Sequence, residues 1–181
     1  MSVKIEDFQT FGRELFLSGL NDSHSGNMSV RIDNTIYITK TGSMLGLLGD
    51  DDIVPTTLYP NGHIEQSRET IGHRAIYEKT GATAIIHAHP PDVIVLSMIE
   101  DEIVPVDSEG RLYNPHVPVL KVDNPNDSAE MARKLPGCFK DNKVVVVWRH
   151  GSFAIGKTLE EAYLYTSSLN HSSKKIGRAH V

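Results

Sequence analysis

Two histidines, His87 and His89, are separated by one residue at the end of the apolar run AIIHAHP, and two prolines follow them. Residues two apart in a strand project from one face, so both imidazoles can point at one position. His150 follows the apolar run KVVVVW, so a second strand end can add a third imidazole. Three histidines are the ligand set of an open catalytic zinc site. The alternative, that these histidines only bond neighbouring carbonyls, is left open by the residues alone.

A carboxylate and another histidine precede this segment. Glu69 and His73 lie four apart in a region that predicts a helix over about 69–80, so both project from one helix face. A carboxylate near a divalent cation is suited to moving a proton on a carbon next to a carbonyl. An ordinary solvated pair on a helix surface is the alternative interpretation.

Three segments of small polar residues predict an anion pocket. They are SGNMS (25–29), TKTGS (39–43) and QSRE (66–69), which supply glycines, hydroxyls and the two cations Lys40 and Arg68. Glycines let a ligand approach backbone amides, and hydroxyls with a guanidinium bind phosphate or carboxylate oxygens. Each segment alone is typical of a turn, and their joint presence is what indicates a pocket.

Composition indicates the general class of protein. A chain of 181 residues with 39% hydrophobic residues predicts one globular domain over 1–181. The net charge of −5 offers no basic face for nucleic acid or an anionic membrane. Cys138 is the single cysteine, which excludes an internal disulfide and is typical of a reducing compartment. Without a signal-peptide pattern or a run of about 18 apolar residues, we expect a cytoplasmic protein with no membrane partner.

Helical and strand patterns interleave along the chain. Helices are predicted over 4–18, 69–80 and 128–135, and from Pro91 and Thr158 onward. Strands are predicted as a hairpin within 28–39, over 83–88, 102–106 and 117–122, and at KVVVVW, with turns at Asp33–Asn34 and Pro60–Gly62 and a glycine-rich loop after 40. Several strand pairs are joined too tightly for a purely parallel sheet, so we expect a layered α/β domain with a mixed sheet.

The segments GNMS, ITKTGS, SRETIGHRAIY, AIIHAHP and RHGSFAIG occur in the order and near the spacing of the class II aldolase/adducin family. The chain resembles its L-fuculose-1-phosphate aldolase branch, including small archaeal members, from about residue 5 to 172. This resemblance implies a three-layer α/β/α fold around a mixed, mostly antiparallel sheet. It also implies a homotetramer with active sites between subunits. Beyond the resemblance, we expect the C-terminal tail from about 172 to be mobile and able to cover a neighbour's site.

The resemblance also implies a metal-dependent aldehyde-lyase. Its substrate would be a small phosphorylated ketose, cleaved or formed through the enediolate of dihydroxyacetone phosphate. Glu69 falls on the catalytic carboxylate and His73 on a supporting histidine, while the metal, usually Zn2+ with Mn2+ or Co2+ also accepted by three imidazoles, would be held by His87, His89 and His150. Phosphate contacts fall on Gly26, Asn27, Thr41, Gly42 and Ser67, and we expect Arg68 to add a substrate contact. The family's aldehyde-side tyrosine has no matched position here, and the candidates for it are Tyr113, Tyr163 and Tyr165.

Two positions depart from the family pattern. Lys40 stands where the aldolases commonly have proline, and Arg68 where they have a second serine. Both changes add positive charge, which favours either tighter phosphate binding or a carboxylate-bearing substrate. The alternatives are therefore a methylthioribulose-1-phosphate dehydratase, a sugar-acid decarboxylase, a 4-epimerase, whose branch has Asp at the position of Glu69, and a non-enzymatic adducin-like binding module.

Overall fold

The computed structural model describes residues 3–58, 69–124 and 128–179. Eight strands form one sheet in the order β3-β2-β1-β4-β8-β7-β6-β5. Their bounds are Asn27–Ile32 (β1), Thr35–Thr39 (β2), Ile53–Thr57 (β3), Ala84–Ala88 (β4), Glu102–Ile103 (β5), Val117–Leu120 (β6), Val144–Val147 (β7) and Gly151–Gly156 (β8). Among these described strands, β6 and β7 pair in parallel and the other neighbours pair antiparallel, as the sequence predicted.

Helices cover both faces of the sheet. Their bounds are Ile5–Leu17 (α1), Thr70–Lys79 (α2), Pro91–Ser97 (α3), Ser108–Tyr113 (α4), Ser128–Lys134 (α5) and Leu159–Ala179 (α6). α1, α3 and α6 bury apolar side chains on one face, and α2 and α5 do so on the other. The expected three-layer α/β/α arrangement is therefore confirmed.

Strand alternation divides the core into two parts. Along β4, Ala84, Ile86 and Ala88 face the layer of α1, α3 and α6, while Ile85 faces α2 and α5. His87 has the same parity as Ile85, so its side chain lies on the α2 side of the sheet. This parity decides which helix can bring a carboxylate to the histidines.

Most predicted elements are present, with local differences. The hairpin turns at Asp33, whose φ is 53°, and α3 begins at Pro91 as predicted. β3 and β8 were not predicted, because Pro55 interrupts the first and glycines bound the second. β3 is an edge strand, where a proline in place of an amide donor is tolerated.

Three remaining features concern the ends and turns of the chain. The predicted turn at Pro60–Gly62 lies outside the described residues. The tail predicted from about 172 falls within α6, which runs to Ala179, and its mobility stays a prediction. Within the described ranges, no helix has the length and apolar character needed to cross a bilayer.

Candidate active site

The three histidines of the sequence pattern converge in the folded chain. His87 Nε2 lies 2.8 Å from His89 Nε2. One ligand nitrogen from each of His87, His89 and His150 lies within 4.8 Å of the other two. His87 is buried and the other two are half-buried, so the cluster lies where the central strand β4 ends and its neighbour β8 begins, with one side open.

β4 and the chain just beyond it place the first two histidines. His87 is the fourth residue of β4, and its partners across the sheet are Asn27 on β1 and Phe153 on β8. The Phe153 ring stacks on the His87 ring with centroids 4.1 Å apart. The backbone N–H of His89 donates to Asn21 Oδ1 at 2.8 Å, which fixes the chain after β4 ends.

The turn between β7 and β8 places the third histidine. Arg149 has a φ of 59°, a left-handed conformation that costs a non-glycine residue about 1–2 kcal/mol. The backbone N–H of His150 donates to Val147 O at 3.0 Å, which closes the turn. Gly151 follows, and a Cβ at that position would overlap Ala88 O and lie 2.9 Å from His89 Cδ2 and 3.1 Å from His87 Cε1. The β4 backbone and the two rings can therefore lie this close to residue 151 only because it has no side chain.

Glu69 reaches two of the imidazoles from the start of α2. Its Oε2 lies 3.3 Å from His87 Nε2 and its Oε1 lies 3.2 Å from His150 Nε2. The side chain is 15% exposed, so water has limited access to it. A partly buried carboxylate thus faces the same point as the three ring nitrogens.

Burial favours the neutral forms of His87 and His89. Desolvation, and after it the charge of His150, lower the pKa of His89 to about 4. Desolvation, followed by the charges of His89 and His150, lowers the pKa of His87 well below 6.5. His87 Nδ1 lies 3.0 Å from Ser152 O, and because a carbonyl only accepts, Nδ1–H donates and Nε2 keeps its lone pair. Three converging imidazoles, one of them oriented by a carbonyl, fit a divalent transition metal.

A buried hydrogen-bond chain lies along the face of α2 that Glu69 begins. Ser29 Oγ lies 2.7 Å from His73 Nδ1 and 2.8 Å from Tyr77 Oη. Burial lowers the pKa of His73 to about 4, against the opposing charge of Glu69. The sequence analysis missed Ser29 and Tyr77, although Tyr77 lies four residues after His73 and so shares its helix face.

Two residues of the predicted anion pocket lie beside the histidines. Gly26 has a φ of 76°, and a Cβ there would lie 2.7 Å from His87 O. Asn27 is paired with His87 across the sheet, and its buried Oδ1 has no hydrogen-bond partner in the described part of the chain. Asn21, which the sequence analysis missed, accepts a hydrogen bond from the His89 amide. Its side-chain nitrogen lies 2.5 Å from the position that a Cβ on Gly26 would occupy.

The other predicted substrate residues are distributed differently. Thr41 and Gly42 are exposed and lie in the loop after β2. The end of β2 is beside the start of β1, because the two strands are antiparallel. Ser67 and Arg68 lie outside the described residues. Tyr113 ends α4 and lines a separate pocket of about 190 Å³ together with residues of α6. Within one chain, Tyr113 therefore lies against the helix layer opposite to that of Glu69.

The sequence model of the Class II Aldolase and Adducin N-terminal domain matches residues 6–175. The chain belongs to this family. An L-fuculose phosphate aldolase of Methanococcus maripaludis is 31% identical over 148 residues, which cover 80% of this chain and 79% of that protein. A 3-oxo-tetronate 4-phosphate decarboxylase of Cupriavidus necator is 25% identical over 179 residues, covering 88% and 82%.

The class II aldolase fold is also found in solved structures similar to this one. The crystal structure of an L-fuculose-1-phosphate aldolase from Thermus thermophilus superposes with a TM-score of 0.94 at 30% identity. That superposition covers 97% of this chain and 93% of the other. The whole α/β/α arrangement around the histidine cluster is therefore shared with a family member named as an aldolase.

Proposed function

We propose that this protein is a metal-dependent aldolase, a class II aldehyde-lyase that cleaves or forms a short phosphorylated ketose in the manner of L-fuculose-1-phosphate aldolases. The observation that carries the proposal is the convergence of three imidazoles with the Glu69 carboxylate, 3.2–3.3 Å from two of them. Dihydroxyacetone phosphate is the ketone half that the site would retain.

His87, His89 and His150 would hold the metal, which we propose to be Zn2+. A bound divalent cation stabilises negative charge that develops on oxygens next to a reacting carbon. The set also suits Mn2+ and Co2+, because imidazole is a ligand for each. His87 Nδ1–H, which donates to Ser152 O, keeps that ring turned toward the other two.

Glu69 is the proposed proton-transfer group. Cleavage breaks the C3–C4 bond of the ketose, the bonding electrons stay with the ketone half as an enediolate, and Glu69 gives a proton to its carbon. In the reverse direction, the Glu69 carboxylate removes a proton from the hydroxymethyl carbon of dihydroxyacetone phosphate. Its partial burial and the hydrogen bond from His73 N–H to Glu69 O, at 3.1 Å, hold the start of α2 in place.

The hydroxyl proton of the aldehyde half must leave by a different group. Tyr113 is our candidate: its phenol oxygen would take that proton while its own O–H passes one to water, so the phenol stays neutral overall. Its place on α4 against α6 means that it would act at the site of a neighbouring subunit. We therefore propose a homotetramer, a suggestion supported by the exposed apolar side chains of Phe16, Leu17 and Leu47. Native mass spectrometry of the intact protein tests this assembly against the monomer mass of 20.0 kDa.

The phosphate pocket is proposed to comprise Gly26, Asn27, Thr41, Gly42, Ser67 and Arg68. Gly26 and Asn27 lie beside His87. The buried Oδ1 of Asn27 lacks a partner among the described residues and would accept a hydrogen bond from a substrate hydroxyl or an ordered water. His73 would support Glu69 through the backbone rather than contact the substrate.

A sugar-acid phosphate decarboxylase is the second candidate. The Cupriavidus necator relative covers 88% of the chain, and Lys40 adds a cation where a substrate carboxylate would need one. Decarboxylation and aldol cleavage both pass through an enediolate, so the same histidines and Glu69 suit either reaction. Only the group that leaves distinguishes the two.

Proton exchange tests the aldolase directly. Zinc-loaded protein should exchange the hydroxymethyl protons of dihydroxyacetone phosphate for deuterium, followed by NMR, and chelator-treated protein should not. Glu69→Gln should keep zinc and lose exchange by at least about 100-fold, the usual range for a general acid–base group. Glu78→Gln, an exposed change near the other end of α2, is the matched control.

Two results would contradict the proposal. Undiminished exchange in Glu69→Gln would remove Glu69 from the proton-transfer role. No exchange by wild-type protein with zinc demonstrably bound would exclude chemistry on this ketone. Release of carbon dioxide from a 3-oxo sugar-acid phosphate would then favour the decarboxylase, and loss of water from methylthioribulose 1-phosphate would favour the dehydratase.

A further inference from the structure

A cavity of about 950 Å³ lies at the end of the sheet opposite to the histidines. β4 runs from the cavity side at Ala84 to His87, and β8 runs back from Gly151 to Gly156, which lines the cavity. α2 follows the same course, from beside Glu69 to Lys79. A helix of ten residues is about 15 Å long, so the cavity and the histidine cluster are separate sites.

The cavity concentrates positive charge on an acidic protein. Its lining includes the five cations Lys79, Arg133, Lys140, Lys143 and Lys157, and the two carboxylates Glu78 and Glu161. The whole chain has 18 lysines and arginines and a net charge of −5. More than a quarter of its cations thus border one concave surface, where they attract anions.

The cations are available for a ligand to differing degrees. Within the described residues, Lys79, Arg133, Lys140 and Lys143 form no salt bridge, whereas Lys134 on the same helix as Arg133 pairs with a carboxylate at 2.6 Å. Lys140 and Lys143 lie just before β7, which begins at Val144, and both are exposed. Their ammonium groups can therefore turn toward the cavity without breaking an ion pair.

The carboxylates offset this charge only in part. Glu161 Oε2 accepts from the Lys157 backbone N–H at 2.6 Å, and its Oε1 accepts from Tyr165 Oη at 3.1 Å. Lys157 Nζ donates to Gly81 O at 2.6 Å, which fixes that cation at the rim. Both oxygens of Glu161 are thus directed at groups of the chain itself.

The floor of the cavity is apolar. Ala82, Pro136, Phe139 and Ile155 are buried residues that line it. An apolar floor with convergent charged groups is typical of a small-molecule site, and the volume is in the usual range of roughly 300–1,000 Å³. Inorganic phosphate would leave such a floor uncovered, whereas a phosphorylated molecule with a ring or acyl body would cover it.

We propose that this cavity binds a phosphorylated organic anion of nucleotide size. The phosphates contact the lysines and Arg133, and the organic part packs against Phe139 and Ile155. Lysines act as point charges that adapt to a flexible polyphosphate, so a di- or triphosphate is the favoured class. The site is independent of the proposed aldolase reaction, because no residue of the histidine cluster lines it.

Titration of the zinc-loaded protein with ATP as the probe tests this site, using calorimetry at about 0.15 M salt, where surface charges are screened beyond roughly 8 Å. The double variant Lys140→Gln/Lys143→Gln should bind ATP at least tenfold more weakly. Arg133→Gln, on a different element, should weaken binding in the same direction. Lys4→Gln/Lys174→Gln changes two exposed lysines elsewhere and should leave affinity unchanged within twofold.

Pyrophosphate is the second probe, and it should bind more weakly than ATP because it lacks the organic part. Equal affinity of ATP and pyrophosphate would overturn the role of the apolar floor. Absence of detectable binding with ATP at about 1 mM would mean a dissociation constant well above that concentration, and it would overturn the site itself. Equal ATP binding by wild type and the Lys140→Gln/Lys143→Gln variant would also overturn it, by placing the nucleotide elsewhere, including the aldolase pocket.

Discussion

Removal of the Ser29 hydroxyl should destabilise the protein strongly, because it ends two buried hydrogen bonds at once. Ser29, His73 and Tyr77 are at most 1% exposed, and Ser29 Oγ lies 2.7 Å from His73 Nδ1 and 2.8 Å from Tyr77 Oη. A buried polar group left without a partner costs about 1–3 kcal/mol. Two such groups remain in Ser29→Ala, so the free energy of unfolding should fall by about 2–5 kcal/mol.

Tyr77→Phe should cost much less. It removes one hydroxyl, and Ser29 keeps its bond to His73, so the expected loss is about 0.5–1.5 kcal/mol. Ser29→Ala leaves the Tyr77 hydroxyl without a hydrogen-bond partner, and the double variant lacks that hydroxyl altogether. The double variant should therefore lose less than the sum of the single variants, by about 1–3 kcal/mol.

Urea unfolding of the four proteins measures this coupling, provided that the slope m is the same in all of them. Thr166→Ala combined with Tyr77→Phe is the control, because Thr166 Oγ1 bonds Ala162 O within α6 in the other helix layer. That pair should be additive within about 0.5 kcal/mol. Additivity of Ser29→Ala and Tyr77→Phe to the same degree would refute the shared hydrogen-bond chain.

Two further perturbations follow from the site. Gly151→Ala places a Cβ that overlaps Ala88 O and lies 2.9 Å from His89 Cδ2, so the backbone at the histidines must shift. Zinc affinity, measured by chelator competition, should therefore fall about 10–100-fold. Gly137→Ala, where a Cβ meets nothing within 4 Å, should leave it unchanged. Burial lowers the pKa of His73 to about 4, so the unfolded chain takes up its proton first as pH falls from 6.5. Stability should drop between these values by about 3 kcal/mol more in metal-free wild type than in His73→Gln, measured by urea unfolding. An equal drop would show that His73 is not buried neutral.

The amino-acid sequence by itself determined the local relations of the site. Strand alternation predicted that His87 and His89 share a face, and the four-residue spacing placed Glu69 and His73 together. The mixed sheet followed from short links such as the turn at Asp33. Each of these depends on neighbours within a few residues, where the periods of strand and helix are fixed by backbone geometry.

Only the tertiary structure decided how distant segments meet. The register of β4 with β1 and β8 sets Asn27 and Phe153 beside His87, and no local pattern encodes that alignment. The sequence placed Ser29 in a segment predicted to form an anion pocket, whereas its hydroxyl bonds His73 because α2 packs that ring against it. The five cations of the cavity of about 950 Å³ come from four segments that are separate in sequence. Such contacts depend on which hydrophobic faces pack together, a property of the whole chain that local periodicity does not contain.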